Sequence, residues 1–315
     1  EPGFHAYLRI SDGCENYCSY CKIPSIRGKL HSIPIESLVK EAEALAKRPC
    51  IDRRGRLIKP AIYPQELILI AQDSCMYGTD IYGHKALPEL IEALHRLDAF
   101  PWIRIMYLHP DHFEPKWLEL FARYPKLLPY FEIPVQHVQP EILRAMHRKL
   151  SGKELTELFS QIISKIPTAA LRTTLMTGFP GENTRYFNAL LRFIQEVPLL
   201  HMGSFAYSAE DGTPAEQMLQ QVPSRTALAR QNRLESKWFA LQEERWQTLV
   251  GSRVQVLTEE LKNPKNNEFK GRAWFQAPEI DGEVIFHSAS AVPGSIVEVE
   301  IDDLIGNTLF GHGVN

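Results

Sequence analysis

The chain has 315 residues, 44% of them hydrophobic and 23% charged, with a formal net charge of −3. That length fits one α/β domain of about 200–250 residues plus a smaller one, and the near-balanced charge excludes the global basic bias of a nucleic-acid coat. No apolar run approaches the ~20 residues needed to span a bilayer and no signal peptide is visible, so a cytoplasmic protein with no membrane partner is expected. The chain begins at Glu1 rather than a methionine, so a fragment or a processed form is expected.

Residues 7–11 read as a short strand that leads into a cysteine-rich loop. Strand-like runs at 67–71, 103–108, 130–135, 171–177 and 201–207 then alternate with amphipathic segments at 36–47, 87–97, 115–122, 140–147, 154–163 and 186–196. Such alternation implies a parallel sheet with helical crossovers. Six β/α units predict an α/β fold: an open barrel smaller than the eight-stranded one. Residues 48–64, polar and basic with Arg53, Arg54, Arg56 and Lys59, read as a solvated loop inserted between the first helix and the second strand.

Pro223 precedes a long helical stretch to about Leu249. After Gly251 the texture changes to short alternating runs at 254–257, 271–274, 283–286 and 296–300, which predict a small antiparallel β-barrel of oligonucleotide-binding type. The expected organisation is a barrel domain over 1–222, a helical connector over 223–249 and the small barrel over 250–315.

Five cysteines are present, and Cys14, Cys18 and Cys21 fall within eight residues. An odd number so distributed is a poor disulfide framework and suits a metal site in a reducing compartment. The spacing is C-x3-C-x2-C. Thiolates are soft ligands matched to iron–sulfur clusters, and three of them leave one iron of a [4Fe–4S] cluster open, as a catalytic metal requires. Structural zinc, with Cys50 or His5 as a fourth ligand, and three unligated thiols are the competing readings.

C-x3-C-x2-C with Tyr20 before the last cysteine, on a loop after the first strand of a β/α barrel, resembles the radical SAM superfamily. Further motifs are similar to its methylthiotransferases. They include Ile23-Pro24-Ser25-Ile26-Arg27-Gly28-Lys29, Ala71-Gln72-Asp73, Met106-Tyr107-Leu108-His109-Pro110, Pro134-Val135-Gln136-His137 and Gly178-Phe179-Pro180-Gly181-Glu182. The resemblance covers nearly the whole chain and identifies the C-terminal barrel with a TRAM domain. It implies a [4Fe–4S] cluster on Cys14, Cys18 and Cys21, S-adenosylmethionine (SAM) on the open iron, and a 5′-deoxyadenosyl radical from SAM cleavage. It also implies a second [4Fe–4S] cluster for sulfur supply, held by three cysteines of an N-terminal domain. Those cysteines are not among these 315 residues, and Cys50 and Cys75 do not replace them. The chain is therefore expected to bind one cluster and cleave SAM without completing methylthiolation.

Active groups of β/α barrels sit at the C-terminal ends of the strands. On that ground Gln72 and Asp73 are expected to accept from the SAM ammonium, and Gln136 to line the site. Gly178 is expected to let backbone approach the adenosine. Arg172 either pairs with the SAM carboxylate or serves a core-side network, and Tyr20 packs against the cofactor or against the first helix. Glu182 with Thr184 either contacts cofactor or caps the next helix. Cys75 either faces the cavity or has no role.

Two branches of the family differ in substrate, a small-subunit ribosomal protein or tRNA. From Gly251 to Asn315 there are five basic and ten acidic residues, a net charge of −5. Gripping RNA phosphates needs a basic surface, so a basic ribosomal protein, within the ribosome or free, is the expected partner and a direct RNA grip is not. A one-electron donor is the other partner implied.

Overall fold

The computed structural model of the protein describes residues 3–51, 54–58 and 61–314, so Arg53 and Lys59 of the inserted loop lie outside the described residues. β1 (His5–Arg9) runs into the cysteine loop. A short antiparallel pair, β2 (Ser11–Asp12) and β3 (His31–Ser32), draws the ends of that loop together around α1 (Ile23–Arg27). Then follow α2 (Ile35–Ala46), β4 (Glu66–Ile70), α3 (Thr79–Tyr82), α4 (Leu87–His95), β5 (Trp102–Ile105), α5 (Leu118–Arg123), β6 (Tyr130–Glu132), α6 (Pro140–Ala145), α7 (Gly152–Lys165), β7 (Ala170–Thr177), α8 (Thr184–Glu196), β8 (His201–Ala206) and α9 (Ser224–Gln247).

β1, β4 and β5 pair in parallel, as do β6, β7 and β8. Two bonds stitch the halves: Leu128 N to Ile103 O and Leu108 N to Glu132 O, each 2.9 Å. The result is the open six-stranded β/α barrel, in strand order β1-β4-β5-β6-β7-β8. Burial on both faces explains the near-continuous apolar runs. Alternate side chains divide between two cores. Leu67 and Leu69 join Leu38, Leu90 and Phe131 under the helices. Ile68 joins Trp102, Tyr130 and Ala170 on the concave face. The helices start where their sequences signal: Ser151 and Glu154 form a capping box on α7, and Asn183 caps α8 by accepting from Tyr186 N. Asn183, not Glu182 or Thr184, is thus the cap.

The C-terminal barrel is closed by β9 (Arg253–Asn263), β10 (Glu268–Ala273), β11 (Glu283–His287), β12 (Ile296–Ile305) and β13 (Thr308–Gly313), in the order β10-β11-β13-β12-β9. It is not wholly antiparallel, since β11 and β13 run parallel. β13 has no clear sequence signal because Gly311 and Gly313 interrupt it. Gly311 is required there: a Cβ would lie 2.2 Å from Glu300 O.

The segment from Trp274 to Asp281 plugs the concave face of the large barrel from below. Phe275 and Ala277 complete the core begun by Ile68, Trp102 and Tyr130. The polar contacts come from residues at or near the N-terminal ends of the strands. Arg104 Nε donates to Glu66 (2.6 Å) and its Nη2 to Trp274 O (2.8 Å), Arg272 donates to Glu66 (2.8 Å), and Tyr130 donates to Asp281 (2.6 Å). The inserted loop is not a simple solvated excursion. Cys50 is 4% exposed and packs with Ile62 in this same core, and Cys50 N donates to Ile62 O. Ile58 and Ile62 are what the basic residues of the loop masked. Cys75 is fully buried under the helices rather than facing the cavity.

Candidate active site

The loop from Gly13 to Lys22 is held in shape mostly by backbone. Gly13 has φ 76°, and a Cβ there would fall 2.0 Å from Lys29 O, so only glycine lets the two ends of the loop meet. Cys14 N donates to Gly28 O and Cys21 N to Cys18 O. Tyr17 takes a positive φ of 47°. Tyr107, Gln136 and His147 do the same, so four of the six left-handed non-glycine residues described come from the cysteine loop, the ends of β5 and β6, and the turn after α6; the other two, Asn267 and Glu279, belong to the C-terminal barrel. Strain of this kind collects at functional sites.

Cys14, Cys18 and Cys21 are half-buried. Burial pushes the Cys14 thiol up to about 11, with Asp73, Cys18 and Cys21 adding to the effect. Burial likewise pushes Cys18 up, offset in part by Arg148 and the adjoining Tyr20 phenol. Partly withdrawn from water, the Cys14 and Cys18 thiols resist ionisation unless a cation joins them, which is the condition of a metal-ligand set. Among the described residues, the one set of three His, Cys, Asp or Glu ligand atoms within 4.8 Å of one another is Asp73, His109 and His112. A structural zinc, with Zn–S of about 2.3 Å, would need a fourth ligand beside the three cysteines. His5 opens β1 at the opposite end of the strand, and Cys50 lies in the core beneath the barrel. Neither supplies a fourth ligand. The donor set fits a larger, incompletely ligated cluster.

The second feature is a ring of unsatisfied polar atoms. Ser11 Oγ, Gln72 Oε1, His109 Nε2, Gln136 Oε1 and Tyr207 OH are buried without a partner. They follow β1, β4, β5, β6 and β8 in turn, all at the C-terminal ends of the strands. Buried polar groups are almost always paired, so this mouth fits a polar ligand such as SAM.

The predicted residues are placed as follows. Gln72 and Gln136 belong to the ring. Asp73 is 3% exposed and fully engaged, accepting from Asn16 Nδ2 (2.9 Å), His112 Nδ1 (2.7 Å) and Cys75 N (3.0 Å). Burial works against its ionisation, but those bonds and the histidines hold its carboxyl below the usual range. Asp73 thus ties the cysteine loop, through Asn16, to the end of β4. His109 and His112 stack at 4.8 Å with planes 26° apart, so their in-plane lone pairs do not converge on one ion; His112 is hydrogen-bonded to Asp73, while His109 Nδ1 accepts from Asp111 N.

Arg172 lies in the core-side network: its guanidinium pairs with Glu132 (3.4 Å) and Asp281 (2.5 Å). Gly178 approaches protein rather than a ligand. Its φ is 74°, and a Cβ would meet Ala227 Cβ of α9 at 2.1 Å. Gly178 N donates to Glu182 Oε1 (2.9 Å), which also accepts from Arg230 (2.7 Å), while His137 Nε2 donates to Glu182 Oε2 (3.2 Å). Tyr20 packs edge-on to Phe179 at 6.3 Å, within a small apolar cluster with Met146, Met176 and Tyr207. Its hydroxyl accepts from Arg148 Nη2 (3.0 Å). Asn16 lies inside the cysteine motif, and Tyr107, His109 and His112 lie in or beside the Met106–Pro110 run, but no pattern marked what each of them does; Arg148 lies in none of the motifs.

Residues 60–194 match the radical SAM superfamily and residues 250–314 the TRAM domain. The barrel superposes on the radical SAM methyltransferase TsrM from Kitasatospora setae, solved with cobalamin and a [4Fe–4S] cluster (TM-score 0.52, 17% identity, 68% of this chain and 39% of that one). It also superposes on coproporphyrinogen III oxidase HemN from Escherichia coli (TM-score 0.53, 15% identity, 77% and 54%). These likenesses establish the fold. The sequence is 39% identical to the ribosomal protein uS12 methylthiotransferase RimO of Crocosphaera subtropica, over 96% of this chain and 67% of that protein. Identity to RimO of a Synechococcus species is 40%, over 94% and 58%, and to RimO of Lachnoclostridium phytofermentans 36%, over 96% and 67%. The chain spans about two thirds or less of the length of these relatives. With such identity along nearly all of its own length, it belongs to the RimO family of radical SAM methylthiotransferases.

Proposed function

We propose that this chain carries the SAM-cleaving centre of a methylthiotransferase that modifies the β-carbon of an aspartate in a small-subunit ribosomal protein, in the cytoplasm. One observation carries the reading: a loop of three cysteines at the C-terminal mouth of the barrel, inside a ring of buried polar atoms without partners. When bound, the cluster and SAM supply a deoxyadenosyl radical able to take a hydrogen atom from a carbon too weakly acidic for a side-chain base.

The residues themselves do the following. Cys14, Cys18 and Cys21 hold three corners of the cluster. Asp73 fixes the loop through Asn16. Gln72 and Gln136 offer carbonyl oxygens to the SAM ammonium and hydroxyls. The Tyr20, Phe179 and Tyr207 rings shut water out beneath the loop. Arg172 and Gly178 act at a distance, holding β7 to the C-terminal barrel and to α9. That barrel lies at the end opposite the cysteines, so its charge of −5 engages the body of a basic partner rather than the reacting residue. A second cluster for sulfur supply belongs to a further N-terminal domain, and a low-potential donor delivers the electron.

The test is anaerobic reconstitution with SAM and reductant in the presence of both the ribosomal protein and tRNA. Full-length enzyme should add SCH3 to the protein by mass. Addition to tRNA alone would replace the substrate assignment, and absence of SAM turnover would reduce the chain to a binding module. The 315-residue chain should hold about four irons; about eight would refute a single cluster.

A further inference from the structure

The turn after α6 grips the cysteine loop from behind. Ser19 N donates to Met146 O (3.2 Å), Ser19 Oγ to Ala145 O (2.6 Å), and His147 Nδ1 to Tyr17 O (2.8 Å). The next residue, Arg148, is 7% exposed. Its Nη1 donates to Pro134 O and its Nη2 to Tyr20 OH, both at 3.0 Å, while Nε is buried with no partner. Among the described residues no carboxylate forms an ion pair with it. A buried guanidinium left this way is costly unless an anion arrives. The Tyr20 hydroxyl that accepts from Arg148 belongs to the cysteine loop, between Cys18 and Cys21, so the guanidinium is hydrogen-bonded to the loop itself.

We propose that Arg148 sets the reduction potential of the cluster: its buried charge, acting directly and through the Tyr20 hydroxyl on the cysteine loop, favours the reduced, more negative state. This rests on the reading of Cys14, Cys18 and Cys21 as cluster ligands. Hydrogen bonds and charges around ligating sulfurs are established levers on such potentials. Arg148 is a positioning residue, acting through Tyr20 and the cysteine loop rather than on substrate.

The experiment is a redox titration of the reconstituted 315-residue chain without SAM, read by the electron paramagnetic resonance signal of the reduced cluster. Each oxidised cluster takes one electron from titanium(III), which becomes titanium(IV), and no bond forms or breaks. Iron and sulfide content, measured first, tests the cluster reading separately. Arg148→Met should retain its iron and lower the reduced-to-oxidised ratio at a fixed poise at least tenfold, a shift of 59 mV to more negative potential for one electron. Arg148→Lys, which keeps the charge, should shift less. Tyr20→Phe, which keeps Arg148 and removes the hydroxyl, should shift in the same direction. If Arg148→Met loses its cluster, Tyr20→Phe decides alone. An unshifted midpoint in a variant with full iron content overturns the proposal.

Discussion

Gly178 illustrates how a motif residue can be placed correctly at a site and yet serve it indirectly. Its left-handed backbone and the 2.1 Å gap to Ala227 admit no side chain. Gly178→Ala should therefore combine backbone strain with overpacking, costing about 2–4 kcal/mol. Gly251 has φ 81° but nothing near its missing Cβ, so Gly251→Ala should cost only about 1 kcal/mol of strain. Urea midpoints of the two variants check the difference, and equal losses would mean that α9 moves away without resistance. Asp73 poses the complementary case. Asp73→Ala removes the acceptor of Asn16 and His112 together, so the loop should lose its anchor to β4. Reconstituted iron should fall severalfold while the helical circular dichroism holds.

Among the elements, the segment from Trp274 to Asp281 is the one that makes two domains into one body. Phe275, 2% exposed, stacks beside His201 and fills the concave core. Phe275→Ala should cost about 3–5 kcal/mol, lowering a single shared unfolding transition rather than splitting off the C-terminal barrel. Two transitions in calorimetry would contradict that. Nothing local in the sequence announces this plug. The strand and helix periods were readable because each buries a face by a short-range rule, and the cysteine spacing because one cluster constrains three neighbouring residues. Arg172 and Asp281 are 109 positions apart, and Ala227 meets Gly178 across a barrel and a connector. Such partners follow from tertiary closure, not from period or composition. β13 failed for another reason: the glycines that permit its close crossing with β12 also erase its strand signature.

For the molecule as a whole, two buried histidines, His5 near the seam between the barrels and His109 at the mouth of the large one, predict an acid response that begins well above the carboxylate range. Burial, with Arg272 nearby, pushes His5 down to about 4, and burial, with Arg148 nearby, pushes His109 down to about 3. Both stay neutral in the fold where the unfolded chain, titrating near 6.5, takes up protons. The unfolded state therefore binds more protons below pH 6.5, so stability is complete above that value and falls as pH drops toward 4. Each such histidine contributes a slope of about 1.4 kcal/mol per pH unit. Glu66 extends the loss at lower pH. Burial would raise its carboxyl, but Arg104 and Arg272 outweigh that and hold it at about 2. Its contribution is whole above the unfolded value of 4.5 and is lost as pH falls from there toward 2. Urea titrations at pH 7, 6, 5 and 4 should show the decline starting near 6.5. His5→Gln, which cannot take up a proton, should flatten the limb between 6.5 and 4 by about one histidine's slope while leaving the lower limb intact. A variant that follows the parent curve throughout would show that His5 is protonated without cost, and that the seam between the barrels admits water.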